Sequence, residues 1–332
     1  MLILGIESSC DDTSISIVED GKKILSNLIS SQIDLHSKFG GIVPELASRQ
    51  HILNINPLIE EALNQAKIDF KDIDAFAVTK GPGLQGSLLV GITTAKTLSF
   101  LLNKPLIGVN HLEGHIYSNF LAFPDLNFPL LVLLVSGGHT ELIKVTQHRK
   151  YEVIGQTLDD AMGEAFDKVA RLLELPYPGG PQIDKIAKLG NKKSFNFPRA
   201  IPDGFDFSFS GIKTSVLYTI QNLKKENKEL NIYDLAASFQ HTVVDDVVRK
   251  TIKASEVYNI NQISLAGGVA ANSYLRDILQ KELKSLNKKL FLPPLELCTD
   301  NAAMIATAAY FQWKENPISN IDDLTVEPRL KL

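Results

Sequence analysis

The sequence predicts an α/β fold of two duplicated lobes with mixed sheets around a central cleft. Three observations lead there. A pattern of buried strand, short polar turn and second strand occurs twice. A pattern of strand, glycine turn and helix follows each copy. A chain of 332 residues, 44% apolar and 22% charged, is also too long for one small core and ordinary enough in composition to fold as roughly two domains.

The first strand pair takes residues 2–6 and 13–18, joined through Glu7, Ser8, Ser9, Cys10, Asp11 and Asp12. The second takes residues 130–135 and 140–145, joined through Ser136, Gly137, Gly138 and His139. The first strand-turn-helix unit runs from residues 75–79 through Gly81-Pro82-Gly83 into a helix from about Ser87; its counterpart runs from residues 263–266 through Gly267-Gly268 into a helix from about Val269. Residues 159–174 carry a helical apolar stripe of Met162, Ala165, Phe166, Val169, Leu172 and Leu173. An alanine-rich helix covers residues 301–313. Hairpins followed by phosphate-type turns give the outline of the actin-like sugar kinases and chaperone ATPases. The lobes are expected at residues 1–120 and 128–299, with Phe123-Pro124-Asp125 and Phe128-Pro129 as the linker and residues 300–332 packing back on the first lobe.

Composition excludes several function classes. The longest apolar runs, residues 84–92 and 128–135, fall well short of the roughly 20 residues that span a bilayer. The chain enters its first strand without a basic segment and cleavage site, so the expected location is cytoplasmic. Cys10 and Cys298 are the only cysteines, too few for a disulfide framework or a four-thiolate zinc site. A net charge of −4 gives no global footprint for nucleic acid, so any RNA contact must be local. The local candidate is Lys185, Lys188, Lys192, Lys193 and Arg199, interleaved with Phe195 and Phe197; a solvated helix end and loop explains it equally well.

His111 and His115 stand four residues apart, which puts both imidazoles on one helix face where they can grip one metal. The zincin motif is excluded. There the glutamate directly follows the first histidine, whereas here Leu112 does and Glu113 is rotated off the metal face by about 100°. The third ligand expected is Asp300, although an aspartate just ahead of a helix can equally serve as its cap. Two His and one Asp with open positions suit iron(II) or zinc. The Ser136-Gly137-Gly138 turn can approach phosphate oxygens because glycine has no Cβ; a tight turn requiring positive φ is the commoner reason for such a pair. Gly179-Gly180-Pro181 with Asp184 one turn in, and Gly267-Gly268 ahead of Asn272, mark further helix starts that favour anions. Asp167, at the edge of its apolar stripe, and Asp184 are candidates for ribose hydroxyls. Glu7, Asp11 and Asp12 cluster in the first hairpin turn, where carboxylates would face phosphate and metal.

With these segments in place, the chain resembles the tRNA N6-adenosine threonylcarbamoyltransferase family in its bacterial branch, formerly called O-sialoglycoprotein endopeptidases. The likeness covers nearly the whole chain. It lies in residues 5–13, 40–49, 81–83, 111–115, 134–140, 160–167, 177–181, 206–211, 266–272 and 298–301. Asp12 stands where Glu is common and Ala270 where Ser is common. The resemblance implies transfer of threonylcarbamoyl from threonylcarbamoyl-adenylate to the exocyclic amine of the adenosine 3′ of the anticodon, in tRNAs reading A-starting codons, with AMP leaving. It implies one divalent metal, iron(II) ahead of zinc, on His111, His115 and Asp300. Leu134, Val135, Ser136, Gly137, Gly138, Asp167, Gly180, Asp184 and Asn272 are expected to bind the adenylate. In the mechanism read beside it, the Gly137 and Gly138 amides stabilise developing charge and Asp11 orients or deprotonates the amine, unless a metal-bound water does so. A smaller non-catalytic paralogue and an ATPase subunit are the expected partners. The main rival is an actin-like ATPase or kinase cleaving ATP, disfavoured because magnesium prefers oxygen ligands. A metalloprotease and a non-catalytic nucleotide-binding subunit are further rivals.

Overall fold

The computed structural model describes residues 1–199, 204–317, 321 and 323–332. They form two units, Met1–Leu126 with Pro293–Leu332, and Asn127–Leu292.

The first unit opens with β1 (Leu2–Glu7), β2 (Asp12–Glu19) and β3 (Lys23–Ser31), an antiparallel meander in which Ile6 pairs with Ile15. The short α1 (Ile33–Ser37) and long α2 (Pro44–Ala66) follow, α2 starting on a proline whose missing N–H is harmless in a first turn. Then come β4 (Ala75–Gly81), α3 (Gln85–Leu102), β5 (Leu106–Asn110) and α4 (His111–Ala122). β4 pairs parallel with β1, and β5 parallel with β4, giving the order β3-β2-β1-β4-β5. β1 and β4 are buried on both faces, which explains why they read as continuous apolar runs.

The second unit repeats this plan. It runs β6 (Leu130–Val135), β7 (Thr140–Gln147), β8 (Lys150–Gln156), α5 (Met162–Leu172), α6 (Gly179–Ala187), α7 (Ser210–Lys225), α8 (Ile232–Val257), β9 (Gln262–Ala266), α9 (Ser273–Ser285) and β10 (Lys289–Phe291). The sheet order, β10-β9-β6-β7-β8, matches the first sheet strand for strand. Two helix starts differ from expectation for a physical reason. α9 begins at Ser273, not near Val269, because Gly268–Ala271 forms a 3₁₀ turn and Asn272 then caps α9, its Oδ1 accepting from the Leu275 N–H at 2.8 Å. α5 begins at Met162, not Asp159, because the Asp159 carboxylate serves another helix. It accepts from the backbone N–H groups of Phe209 and Ser210 and from the Ser208 hydroxyl.

The last helix, α10 (Ala302–Glu315), belongs to the first unit, where it packs on β1, β2 and α4. Met304 and Ile305 are fully buried there, each worth about 1.5–3 kcal/mol of apolar transfer. Gly114 makes the α4 to α10 approach possible: a Cβ at that position would lie 2.7 Å from Ile305 Cδ1 and 3.2 Å from Met304 Cγ. Among the described residues no helix is long and apolar enough to cross a membrane.

Candidate functional site

α4 carries His111 and His115, and the loop before α10 carries Asp300, so the close packing of these two helices brings the three together. Their ligand atoms all lie within 4.8 Å of one another. Asp300 Oδ1 is 3.2 Å from His115 Nε2 and 3.5 Å from His111 Nε2. Donors sharing one ion at about 2.1 Å sit roughly 3–3.5 Å apart, so the spacing fits a single metal. His115 adds a second reason. It is fully buried, and among the described residues neither ring nitrogen has a hydrogen-bond partner, a costly state for an imidazole unless something else binds it. The cap of α10 is Asn301, whose Oδ1 accepts from the Met304 N–H at 3.0 Å. That leaves the capping role to the residue after Asp300.

Glu7, at the end of β1, completes the surroundings of His111. The His111 Nδ1–H donates to Glu7 Oε2 at 3.0 Å, with Ser9 Oγ 3.2 Å from the same nitrogen. Glu7 in turn accepts from the Ser9 N–H and the Thr79 hydroxyl. Burial alone would raise the Glu7 pKa, but the His111 imidazolium overcomes this and holds the carboxyl below its usual range. For His111, burial disfavours the charge, while the carboxylates of Asp300 and Glu7 outweigh it and raise the pKa to about 9. A metal taken up by Nε2 at neutral pH therefore displaces a proton. Local periodicity gave no hint of Ser9 or Thr79, and it grouped Glu7 only with the acidic turn.

The second unit holds a cavity of about 430 Å³, within the range of small-molecule sites. Gly137, Asp167, Gly180, Asp184 and Asn272 all line it, with Tyr177, Lys185, Lys188 and Val269 among the rest. Ser136 and Gly138 flank the lining, and Leu134 and Val135 are fully buried in β6. Several polar lining groups are already engaged. Asp167 Oδ1 accepts from the Gly179 and Gly180 N–H groups at 2.7 and 3.3 Å, organising the start of α6. Asn272 Nδ2 donates to the buried Gln240 Oε1 at 2.9 Å while its Oδ1 caps α9. Asp184 Oδ2 accepts from the Ser273 N–H and hydroxyl, and its Oδ1 is buried with no hydrogen-bond partner among the described residues. Gln240 and Ser273 escaped the sequence reading because their effect is to position residues distant in the chain.

The glycines of this cavity are informative in a different way. A Cβ added at Gly137, Gly138 or Gly180 would meet nothing within 4 Å, and none of the three has φ in the left-handed region. Turn strain does not explain them. Asp11, in the β1–β2 turn of the first unit, has its pKa raised, by burial first and by the charge of Asp300 second. In the basic segment, Lys185, Lys188, Lys192, Lys193 and Arg199 are exposed, but Phe197 is buried and stacks on Phe195, with centroids 6.2 Å apart. Phe197 is therefore core and not an open stacking platform.

Comparisons with known proteins identify the family and the fold. The family model described as tRNA N6-adenosine threonylcarbamoyltransferase (TsaD) matches residues 23–307. A curated protein of that name from Thermosipho africanus (strain TCF52B) is 55% identical over 334 residues, covering 100% of both chains. Another from Dictyoglomus turgidum (strain DSM 6724 / Z-1310) is 55% identical over 333 residues, covering 100% of this chain and 99% of its own. Among solved structures, T. kodakarensis HypF superposes with a TM-score of 0.66 at 14% identity over 97% of this chain and 49% of that one, a likeness of the actin-like fold alone. The chain belongs to the tRNA N6-adenosine threonylcarbamoyltransferase family.

Proposed function

We propose that this protein transfers a threonylcarbamoyl group from threonylcarbamoyl-adenylate to the exocyclic amine of the adenosine 3′ of the anticodon, in tRNAs reading A-starting codons, releasing AMP. Besides family membership, the observation that carries this reading is the pocket of the second unit. Gly137, Gly138 and Gly180 have no steric or conformational reason of their own to be glycine, so close approach by a ligand is the reason left.

In this reading the adenylate occupies that pocket, with Asp184 and Asp167 toward the ribose and the open backbone at Gly137, Gly138 and Gly180 toward the phosphate. Leu134 and Val135 act from behind, fixing the strand that presents Ser136 and the two glycines. Asn272, held by Gln240, shapes the wall. His111, His115 and Asp300 hold one divalent ion, iron(II) ahead of zinc, whose Lewis acidity would polarise the carbamoyl carbonyl or neutralise the departing phosphate. The amine nitrogen attacks the carbamoyl carbon, the bond from that carbon to the phosphate oxygen breaks, and AMP leaves with the electron pair. Asp11 takes the proton lost by the amine; its raised pKa makes it a better base than an ordinary aspartate. The Gly137 and Gly138 amides face the charge that develops on oxygen. A smaller non-catalytic paralogue and an ATPase subunit are the partners proposed for turnover, and the cytoplasm the place.

The test is reconstitution. The protein, those partners and unmodified tRNA are incubated with threonine, bicarbonate, ATP and an adenylate-forming enzyme, and the nucleosides are digested and weighed. A mass gain of one threonylcarbamoyl group on adenosine supports the reading; unmodified adenosine with all components active refutes it.

A further inference from the structure

The segment after α10 has no role in the reading above, yet it lies against the elements that hold the candidate metal ligands. The Glu327 N–H donates to the Lys80 carbonyl at 2.8 Å, and Lys80 Nζ donates to Glu327 Oε1, also at 2.8 Å. The Gly83 N–H donates to the Pro328 carbonyl at 3.2 Å, and Asn110 Nδ2 donates to the Lys331 carbonyl at 2.9 Å. Residues 327–331 are thus fastened at both ends. Gly81 is shaped for this: it has φ +155, and a Cβ there would stand 1.9 Å from the Glu327 carbonyl oxygen. The Gly81-Pro82-Gly83 turn, which the sequence suggests as a phosphate-type turn, therefore receives this segment, and the Gly83 N–H is already given to it.

Both fastening points lead to His111. Asn110 immediately precedes it and caps α4, its Oδ1 accepting from the Leu112 N–H at 2.8 Å. One side-chain amide thus ties the first turn of the ligand helix to the segment. On the other side, the Leu84 N–H donates to the Ser9 carbonyl at 2.7 Å, and Ser9 Oγ lies 3.2 Å from His111 Nδ1. A ligand in the first turn of a helix, where backbone groups lack intrahelical partners, needs such external anchoring to keep its geometry.

We propose that residues 327–331 are a positioning strap that fixes His111 for metal binding, acting through Asn110 and the Gly81-Pro82-Gly83 turn. The inference rests on the metal reading of His111, His115 and Asp300. Its test uses zinc ion as the probe, titrated against a chromophoric competitor into the full chain freed of metal. Asn110→Ser keeps a cap oxygen for α4 but is too short to reach the Lys331 carbonyl; Glu327→Ala removes the Lys80 pair; Gly81→Ala drives a Cβ into the strap. Each variant is expected to bind zinc about 10-fold more weakly, the lower end for loss of a group supporting a metal ligand. Each should also change the visible absorption of the cobalt(II) form, which reports ligand geometry and which a general loss of stability would not alter. Glu327→Ala is a partly exposed change that leaves the core intact, so it carries the test should Gly81→Ala not fold. Variants that bind zinc as tightly as the unaltered chain, with an unchanged cobalt spectrum, overturn the strap while leaving the metal site standing. An unaltered chain that binds no zinc or cobalt overturns both.

Discussion

Glu7 Oε2 accepts a hydrogen bond from His111 Nδ1 at 3.0 Å across 104 residues of sequence, in a buried contact that turns Nε2 toward Asp300. A carboxylate behind a metal-ligating imidazole fixes its tautomer and raises its basicity, and loss of such a partner typically costs about 10–100-fold in affinity. Glu7→Gln, which keeps an acceptor but removes the charge, should weaken zinc binding by about 10-fold, and Glu7→Ala by about 100-fold. Thr79→Val, which leaves Glu7 in place without one of its donors, should have a smaller effect. Competition titration ranks the three; equal affinity for Glu7→Ala and the unaltered chain would refute the assignment.

The strand pairs and glycine turns were legible because each leaves a local mark, an apolar run or a glycine at a fixed offset. The metal pair was legible because four residues return a helix to the same face. Asp300 stayed ambiguous because a cap and a ligand look alike in sequence, and only the Asn301 contact to the Met304 N–H separates them. Glu7 could not be assigned to His111 at all. That contact exists because β4 lies between β1 and β5, a pairing that no local periodicity encodes. Asp167 stood out at the edge of an apolar stripe and Asn272 at a helix start after two glycines, but their hydrogen bonds to Gly179, Gly180 and Gln240 depend on tertiary packing that no local pattern encodes.

Asp12 provides the pH dependence. Burial raises its pKa from 3.8 to about 7, and its Oδ1 is buried with no hydrogen-bond partner among the described residues. The folded chain therefore holds this proton more tightly than the unfolded chain. The stabilisation is full below the ordinary aspartate pKa and is lost as pH rises toward neutrality, because folding must then either bury a charge or take up a proton. Asp12→Asn should stabilise the metal-free protein at pH 8 by about 1–2 kcal/mol and have little effect near pH 4. Urea denaturation at the two pH values measures the difference. A stabilisation independent of pH would mean that Asp12 is not held protonated.

The pocket glycines give a prediction in which stability and binding separate. Gly137→Ala and Gly180→Ala add a methyl group to open space at ordinary φ, so neither should lower the melting temperature. Gly180→Ala, inside α6, should stabilise by about 0.5–1 kcal/mol. If phosphate approaches the backbone at these positions, AMP affinity measured by calorimetry should fall by at least about 10-fold, the loss of roughly one charge-assisted hydrogen bond. Unchanged AMP binding in both variants would place the phosphate elsewhere.

Asp11→Asn should abolish threonylcarbamoyl transfer while leaving AMP affinity nearly intact, since the amide cannot accept the amine proton but keeps the size of the side chain. Single-turnover assays beside AMP titration separate the two quantities. A fully active variant removes Asp11 from the mechanism and leaves proton removal to water.

Contact of tRNA with the segment after α6 is expected from its exposure and charge. Lys192 and Lys193 are exposed on the segment that follows α6, and Lys192 Nζ lies 3.2 Å from the Tyr274 hydroxyl and 5.7 Å from the centroid of its ring. That places a cation beside a half-buried aromatic, a combination suited to a phosphate and an adjoining base. Each phosphate neutralised by a lysine releases counterions, so the logarithm of the binding constant falls with the logarithm of salt by about 0.7–0.9 per contact. Replacing Lys192 and Lys193 with Glu should therefore weaken tRNA binding at low salt and flatten the slope by about 1.4–1.8. Because both lysines are exposed and the one contact between Lys192 and Tyr274 is at the surface, the melting temperature should change little. If the slope of the double variant equals that of the unaltered protein, tRNA does not cross this face.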